Sequence, residues 1–193
     1  MLGLKLPTDP RWVNIVEKKI IEILQDHAYC EQKAAASCIH LIVSNPERIE
    51  LVNTLTPIVA EEWGHFRMVL AELSKRGASL GRTRVDEYVA KLLKFCKKGF
   101  GAEFRLMDNL LMSALIEARS CERFRLLSLE INDESLKNFY HELMVSEAGH
   151  YRTFLDLAHL YSPEEKVKQR WKEWLAFEEE MLPELELRGD RVH

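Results

Sequence analysis

Apolar residues recur in steps of three and four through nearly all of this 193-residue chain, and within that rhythm one polar pattern is written twice. Glu62-Trp63-Gly64-His65-Phe66-Arg67 returns 85 residues later as Glu147-Ala148-Gly149-His150-Tyr151-Arg152. The three-and-four step marks a helix with one buried face, which restricts the chain to helix packed on helix. Residues three apart share a face of a helix. Each copy therefore aims a carboxylate and an imidazole at the same place, a pair poorly suited to packing and well suited to holding a metal ion.

The punctuation predicts five long helices. The first starts at Thr8-Asp9-Pro10, a cap followed by a proline in the first turn, and runs to about Val43. Ser44-Asn45-Pro46 turns the chain into a second helix ending near Arg76, with Gly77 as its stop and Pro57 as an expected kink or fresh start. A long connection over 78–102 carries a short helix at about Asp86–Lys98. A third long helix spans Glu103–Glu130, a fourth Ser135–Tyr161, and Ser162-Pro163-Glu164-Glu165 opens a fifth that ends near Leu182. No run alternates as a strand would. The expected fold is all-α: a ferritin-like four-helix bundle over about 9–161, two antiparallel pairs joined by a long crossover, with an additional C-terminal helix over about 163–182. The whole of 1–193 reads as one domain.

Helical phasing puts both copies of the motif in the core. The second helix carries Leu55, Ile58, Glu62, His65 and Val69 on one stripe; the fourth carries Phe139, Leu143, Glu147, His150, Phe154 and Leu157. The first helix offers Ile20, Leu24, His27, Glu31, Ala34 and Cys38, and the third Leu106, Leu110, Ser113, Glu117, Ser120 and Phe124. Glu31 precedes Glu62 by 31 residues and Glu117 precedes Glu147 by 30, whereas Glu122 would give 25 and break the symmetry. Any one of these residues alone reads as a hydrogen-bonded polar group in a core. Four carboxylates gathered there cannot all stay ionised unaided, because burial and like charge both raise their pKa values. Two divalent cations balance them, and oxygen and nitrogen donors suit iron or manganese. The expected ligands are Glu62 and His65 on one metal, Glu147 and His150 on the other, with Glu31 and Glu117 completing or bridging. Gly64 and Gly149, each costing its helix about 1 kcal/mol relative to alanine, are expected where a neighbouring helix, a ligand or a bulge needs room.

Charge narrows the partners. The net charge is −4, yet residues 75–105 hold nine Lys or Arg against three acids, and the stretch from Ser162 holds six against nine. A local basic stripe on an acidic chain either steers a polyanion to one face or is simply a solvated helix face, and charge alone leaves both open. The four cysteines form no C-x-x-C pair, and no apolar run is long enough to span a bilayer. With no signal-peptide pattern at its start, the chain is expected to be cytoplasmic and not membrane-bound.

Asp26-His27-Ala28-Tyr29-Cys30-Glu31-Gln32-Lys33-Ala34-Ala35 and Ile116-Glu117-Ala118-Arg119-Ser120-Cys121-Glu122-Arg123-Phe124, with Phe139-Tyr140 and Ser146-Glu147-Ala148 leading into His150, resemble the tRNA 2-methylthio-isopentenyladenosine hydroxylase family. The six-residue constellation resembles that of ferritin-like di-iron carboxylate proteins generally. The resemblance implies a non-haem di-iron monooxygenase that hydroxylates the isopentenyl group of a hypermodified adenosine next to the anticodon. It implies two iron ions held by Glu31, Glu62, His65, Glu117, Glu147 and His150, dioxygen as co-substrate, and electrons from an external reductase. Lys94, Lys97 and Lys98 are the expected contacts to the tRNA anticodon loop, with Arg119, Arg123 and Arg125 as further cations. Ala28, Ala34, Ser113 and Ser120, beside the two single glutamates, are expected either to leave space for oxygen and a prenyl group or to serve close helix packing, the commoner role of small residues at crossings. The ligand pattern also resembles bacterioferritin-type ferroxidases and iron stores, the chief alternative, although the basic crossover and the last helix do not suit a shell. A rubrerythrin-like peroxidase would want rubredoxin cysteines. A metal-free interaction module would need another way to stabilise four buried glutamates.

Overall fold

Each long amphipathic run becomes a helix, and most of the predicted stops are where the helices end. A computed structural model describes residues 2–97 and 99–193. Among them are seven α-helices and no strand: α1 Arg11–Glu17, α2 Ile20–Ser44, α3 Ile49–Lys75, α4 Glu87–Phe95, α5 Ala102–Glu130, α6 Glu134–Tyr161 and α7 Glu164–Met181. No helix is long and apolar enough to cross a membrane among the described residues.

The chain forms two compact units, one of Asn14–Arg84 with Arg188–Val192, the other of Met1–Val13, Val85–Leu187 and His193. In the first, α2 and α3 pack as a helical hairpin on Ile23, Leu24, Leu41, Leu51, Leu55 and Val69. The stop at Gly77 is a Schellman motif: Ala78 N–H donates to the Leu73 carbonyl and Gly77 N–H to that of Ser74, with Gly77 at φ +67°. The crossover then returns along α2, where Gln25 donates to the Ser79 carbonyl, Tyr29 to that of Gly81, and Arg84 to that of Glu22.

Two expectations need correction here. The first long helix is broken at Lys18 and Lys19, whose amides reach back only three residues, to Ile15 and Val16. At Ile15 the backbone of the tail presses close: a Cβ on Gly189 would lie 2.5 Å from the Ile15 carbonyl carbon. The apolar spacing Trp12, Val16, Ile20, Ile23 continues across the break, which is why the sequence reads as unbroken. The second helix starts at Ile49, not at Pro46, after a turn in which Arg48 N–H donates to the Asn45 carbonyl. It then runs through Pro57 without a fresh start.

In the other unit, α5 and α6 form the hairpin, α7 packs on both, and α4 packs on α7. Asp86 caps α4 by accepting from Val89 N–H, and Asp133 caps α6 by accepting from Ser135 and Leu136 N–H. Helix α5 is buried round most of its circumference. One face carries the predicted stripe; a second carries Asp108, Leu115, Arg119 and Glu122. That second face is tied by charge to α7. Arg119 donates to Glu178 at 2.6 and 2.8 Å, Arg170 donates to Asp108 at 2.7 Å, and Trp174 Nε1 donates to Asp108 at 2.9 Å.

Candidate metal centre

Each hairpin brings one predicted Glu-x-x-His pair against the predicted single glutamate. On α2 and α3, Glu31 and Glu62 are almost wholly buried and His65 nearly so. His65 Nδ1 stands 3.5 Å from Glu31 Oε2 and 3.5 Å from Glu62 Oε2. On α5 and α6, Glu117, Glu147 and His150 are all buried, with His150 Nδ1 3.9 Å from Glu147 Oε2 and Ser146 Oγ 3.5 Å from His150 Nε2. Within each triad every residue can offer a donor atom lying no more than 4.8 Å from the other two. Donors on opposite sides of an ion bound at about 2.1 Å lie about 4.2 Å apart, so each triad has the spread of a coordination shell.

The electrostatics of the protein without metal point the same way. Burial opposes charge on His65, but the Glu31 and Glu62 carboxylates outweigh it and push the imidazolium up to about 10. Burial would raise the Glu31 carboxyl, but hydrogen bonds with His27 and His65 hold it well below the usual carboxylate range. A proton on His65 thus supplies part of the positive charge that the glutamates demand. A divalent cation would displace it, as metal binding to histidine requires. Two carboxylates and one imidazole per triad form a hard oxygen and nitrogen donor set fitting iron or manganese.

Glu117 and Glu122, the two candidates on α5, have different surroundings. Glu122 accepts from the Thr8 amide at 2.9 Å, the Thr8 hydroxyl at 2.6 Å and Arg119 at 3.0 Å, a structural cluster, while Glu117 joins Glu147 and His150. Of the reasons expected for glycine at 64 and 149, crowding by a neighbouring helix does not hold. Gly64 and Gly149 are not crowded: a Cβ on either would meet nothing within 4 Å. Ser120 Oγ lies 2.8 Å from His193 Nε2. Arg119 and Arg123 are buried, Arg119 against Glu178 and the Leu6 carbonyl and Arg123 over the Trp12 ring, so neither offers a surface to RNA; Arg125 is exposed. Among the basic residues of the crossover, Lys97 pairs with Glu173 at 2.9 Å and Lys91 with Glu184 at 2.7 Å. Lys94 is exposed and lines a groove of about 360 Å³ between α4 and α7, to which none of the six candidate ligands contributes. Lys98 lies outside the described residues. The residue passed over in the sequence is His27, whose Nε2 lies 2.6 Å from Glu31 Oε1. Its signal was its position, one turn before Glu31 on the same stripe.

Two helical hairpins, each with a glutamate on one helix and Glu-x-x-His on the other, define an all-α protein of the ferritin-like carboxylate class. A solved structure described as Protein 43 with aldehyde deformylating oxygenase activity, from Synechococcus, matches with a TM-score of 0.92 and 33% identity, over 98% of this chain and 94% of that one. The family model for tRNA-(MS[2]IO[6]A)-hydroxylase (MiaE) matches residues 2–193, and the chain belongs to that family. It is 35% identical to the tRNA 2-(methylsulfanyl)-N(6)-isopentenyladenosine(37) hydroxylase of Pseudomonas putida over 184 residues, covering 94% of this chain and 88% of the relative. It is 34% identical to the Salmonella typhimurium enzyme of the same name over 116 residues, 60% of this chain and 42% of that one.

Proposed function

We propose that this chain is an oxygen-dependent di-iron hydroxylase acting on the isopentenyl group of 2-methylthio-isopentenyladenosine next to the anticodon of tRNA. One observation carries the reading: in a chain matching the hydroxylase family from residue 2 to 193, all six candidate ligands are present and each triad gathers within ligand reach. Glu31, Glu62 and His65 would hold one iron, and Glu117, Glu147 and His150 the second. Bound iron supplies the activation of dioxygen for insertion of one oxygen atom into a carbon–hydrogen bond, which no side chain here can do alone.

The protein's own residues do the rest. The glutamates neutralise and fix the cations, and His65 gives up its proton as metal enters. Leu55, Ile58 and Val69 on α3, and Leu143 and Phe154 on α6, lie on the same stripes as the ligands and keep each triad dry. Hydroxylation by dioxygen consumes two electrons and two protons and leaves one water, and the sequence has no flavin or iron–sulfur motif to supply them. A separate reductase is therefore part of the proposal. The exposed cations Lys94 and Lys97, together with Lys98 next to them in the sequence, would meet tRNA phosphates.

Nucleoside mass spectrometry of tRNA from cells with and without this gene tests the function. The expected result is loss of the hydroxylated isopentenyladenosine and accumulation of its unhydroxylated precursor when the gene is removed; persistence of the hydroxylated nucleoside sinks the reading. The Synechococcus neighbour favours a second reading, in which the same centre acts on an aldehyde. Aldehyde consumption by purified, iron-loaded protein that leaves tRNA untouched would select it.

A further inference from the structure

The two triads are not equivalent, and the difference lies one helical turn before the single glutamate. On α2 that place is held by His27, fully buried and aimed at the carboxylate: its Nε2 lies 2.6 Å from Glu31 Oε1. On α5 the corresponding residue, four before Glu117, is Ser113. The two oxygens of Glu31 have separate surroundings. Oε1 meets His27, while Oε2 faces His65 Nδ1 at 3.5 Å. An ionised carboxylate has no proton to give, so His27 Nε2 is the donor in this contact. A nitrogen that carries this proton has no lone pair left for a metal.

We infer that His27 is a positioning residue which holds Glu31 by Oε1, presents Oε2 alone to a metal on the α2–α3 triad, and makes that triad the tighter of the two metal sites. The inference rests on the proposed metal-binding role of the triads. Glutamate is among the side chains with most rotamer freedom to lose, and a donor fixed by burial on the same helix removes that freedom before metal arrives. Outer partners of ligating carboxylates have this effect on affinity in metal sites generally. With Oε1 engaged by His27, Glu31 would offer a metal only its Oε2.

The test uses the full chain, stripped of metal by a chelator and titrated with Co(II), followed by d–d absorption and by metal content. Glutamine and methionine are flexible and alike in volume, and only glutamine carries a donor, so His27→Gln and His27→Met separate the hydrogen bond from packing. Wild type is expected to take up two equivalents in two distinguishable steps. In His27→Met the tighter step weakens about 10- to 100-fold and its absorption bands shift, whereas His27→Gln stays within about threefold of wild type. In a His150→Ala background, which leaves the α2–α3 triad intact, the same contrast appears in the single remaining step. Circular dichroism establishes folding; if His27→Met does not fold, His27→Gln against wild type decides, and loss of the tight step there overturns the inference. Met and Gln variants weakened alike, or a Met variant with both steps and both spectra unchanged, also overturn it. Failure of the function reading looks different: wild type itself takes up no cobalt or iron.

Discussion

Two glutamates on α5, five residues apart and both buried, keep opposite company, and on the proposed function their neighbours assign them opposite duties. Glu122 is surrounded by donors that need it, the Thr8 amide and hydroxyl and the Arg119 guanidinium. Glu117 sits with another carboxylate and an imidazole, company that suits a cation and not a core. Removing each should therefore read out differently. Glu117→Ala is expected to lose one of two metal equivalents while the metal-free protein melts no lower than wild type, because a like charge has left a buried cluster. Glu122→Ala is expected to keep both metals and to destabilise by about 1–3 kcal/mol, the usual cost of leaving a buried hydrogen-bonding group without its partner. Metal content by mass spectrometry and thermal melting of the stripped proteins check this; the opposite pattern would exchange the roles. The sequence pointed to Glu117 through the near-equal spacings to Glu62 and Glu147, since a ligand set on a repeated hairpin repeats with it. It could not show what Arg119 and Arg123 do, because a buried cation is recognised by its partner, and Glu178 lies 59 residues beyond Arg119. Read as a run, those arginines look like surface charge.

At the scale of elements, the helix limits over 87–181 were legible to within a few residues, because caps such as Asp86 and Asp133 act locally. The break at Lys18 and Lys19 was not, because it lies where a segment more than 170 positions away packs on Ile15. That tail segment had no reading from the sequence at all, being short and without period. In the structure it is pinned by charge: Asp190 accepts from Arg84 and Arg188 at 3.0 Å, and the Val192 amide donates to Asp26 at 2.8 Å. Hydrogen bonding from Arg188, against a smaller opposing effect of burial and with help from the Arg191 and Arg84 charges, lowers the Asp190 carboxyl to about 2. A depressed carboxyl stabilises the folded state above its ordinary pKa, near 3.9, and that contribution is lost as pH falls from there through about 2. The tail should thus loosen in that window, seen as faster amide hydrogen exchange at Val192. In Asp190→Asn the exchange should already be fast at neutral pH and show no further dependence on pH beyond the intrinsic rate. Equal protection in the two proteins at neutral pH would mean that Gly189 packing, not charge, holds the tail.

Over the whole molecule, a net charge of −4 has to be reconciled with a polyanionic substrate. Much of the basic stretch is spent on structure: Lys75 pairs with Glu72, Arg84 with Asp190, Lys91 with Glu184 and Lys97 with Glu173. The surface available to RNA is therefore smaller than the count of nine cations suggests. In the proposed interface it would concentrate around the end of α4, where Lys94 is exposed and Phe100, half-exposed, stacks on Phe104 at 4.6 Å. Cations beside an exposed ring suit the phosphates and unstacked bases of an RNA loop. The Lys97–Glu173 pair is half in solvent, and exposed pairs of this kind hold by less than about 1 kcal/mol, so a phosphate can compete for the lysine. Replacing Lys94, Lys97 and Lys98 by glutamine should weaken tRNA binding and flatten its dependence on salt, by about 0.7 in the log–log slope for each phosphate that is no longer neutralised. Glu173→Gln should act in the other direction, releasing Lys97 and tightening binding at low salt. Filter binding of tRNA over a series of salt concentrations measures both. An unchanged slope in the triple variant would remove the α4 surface from the tRNA interface while leaving the metal triads, and the chemistry proposed for them, intact.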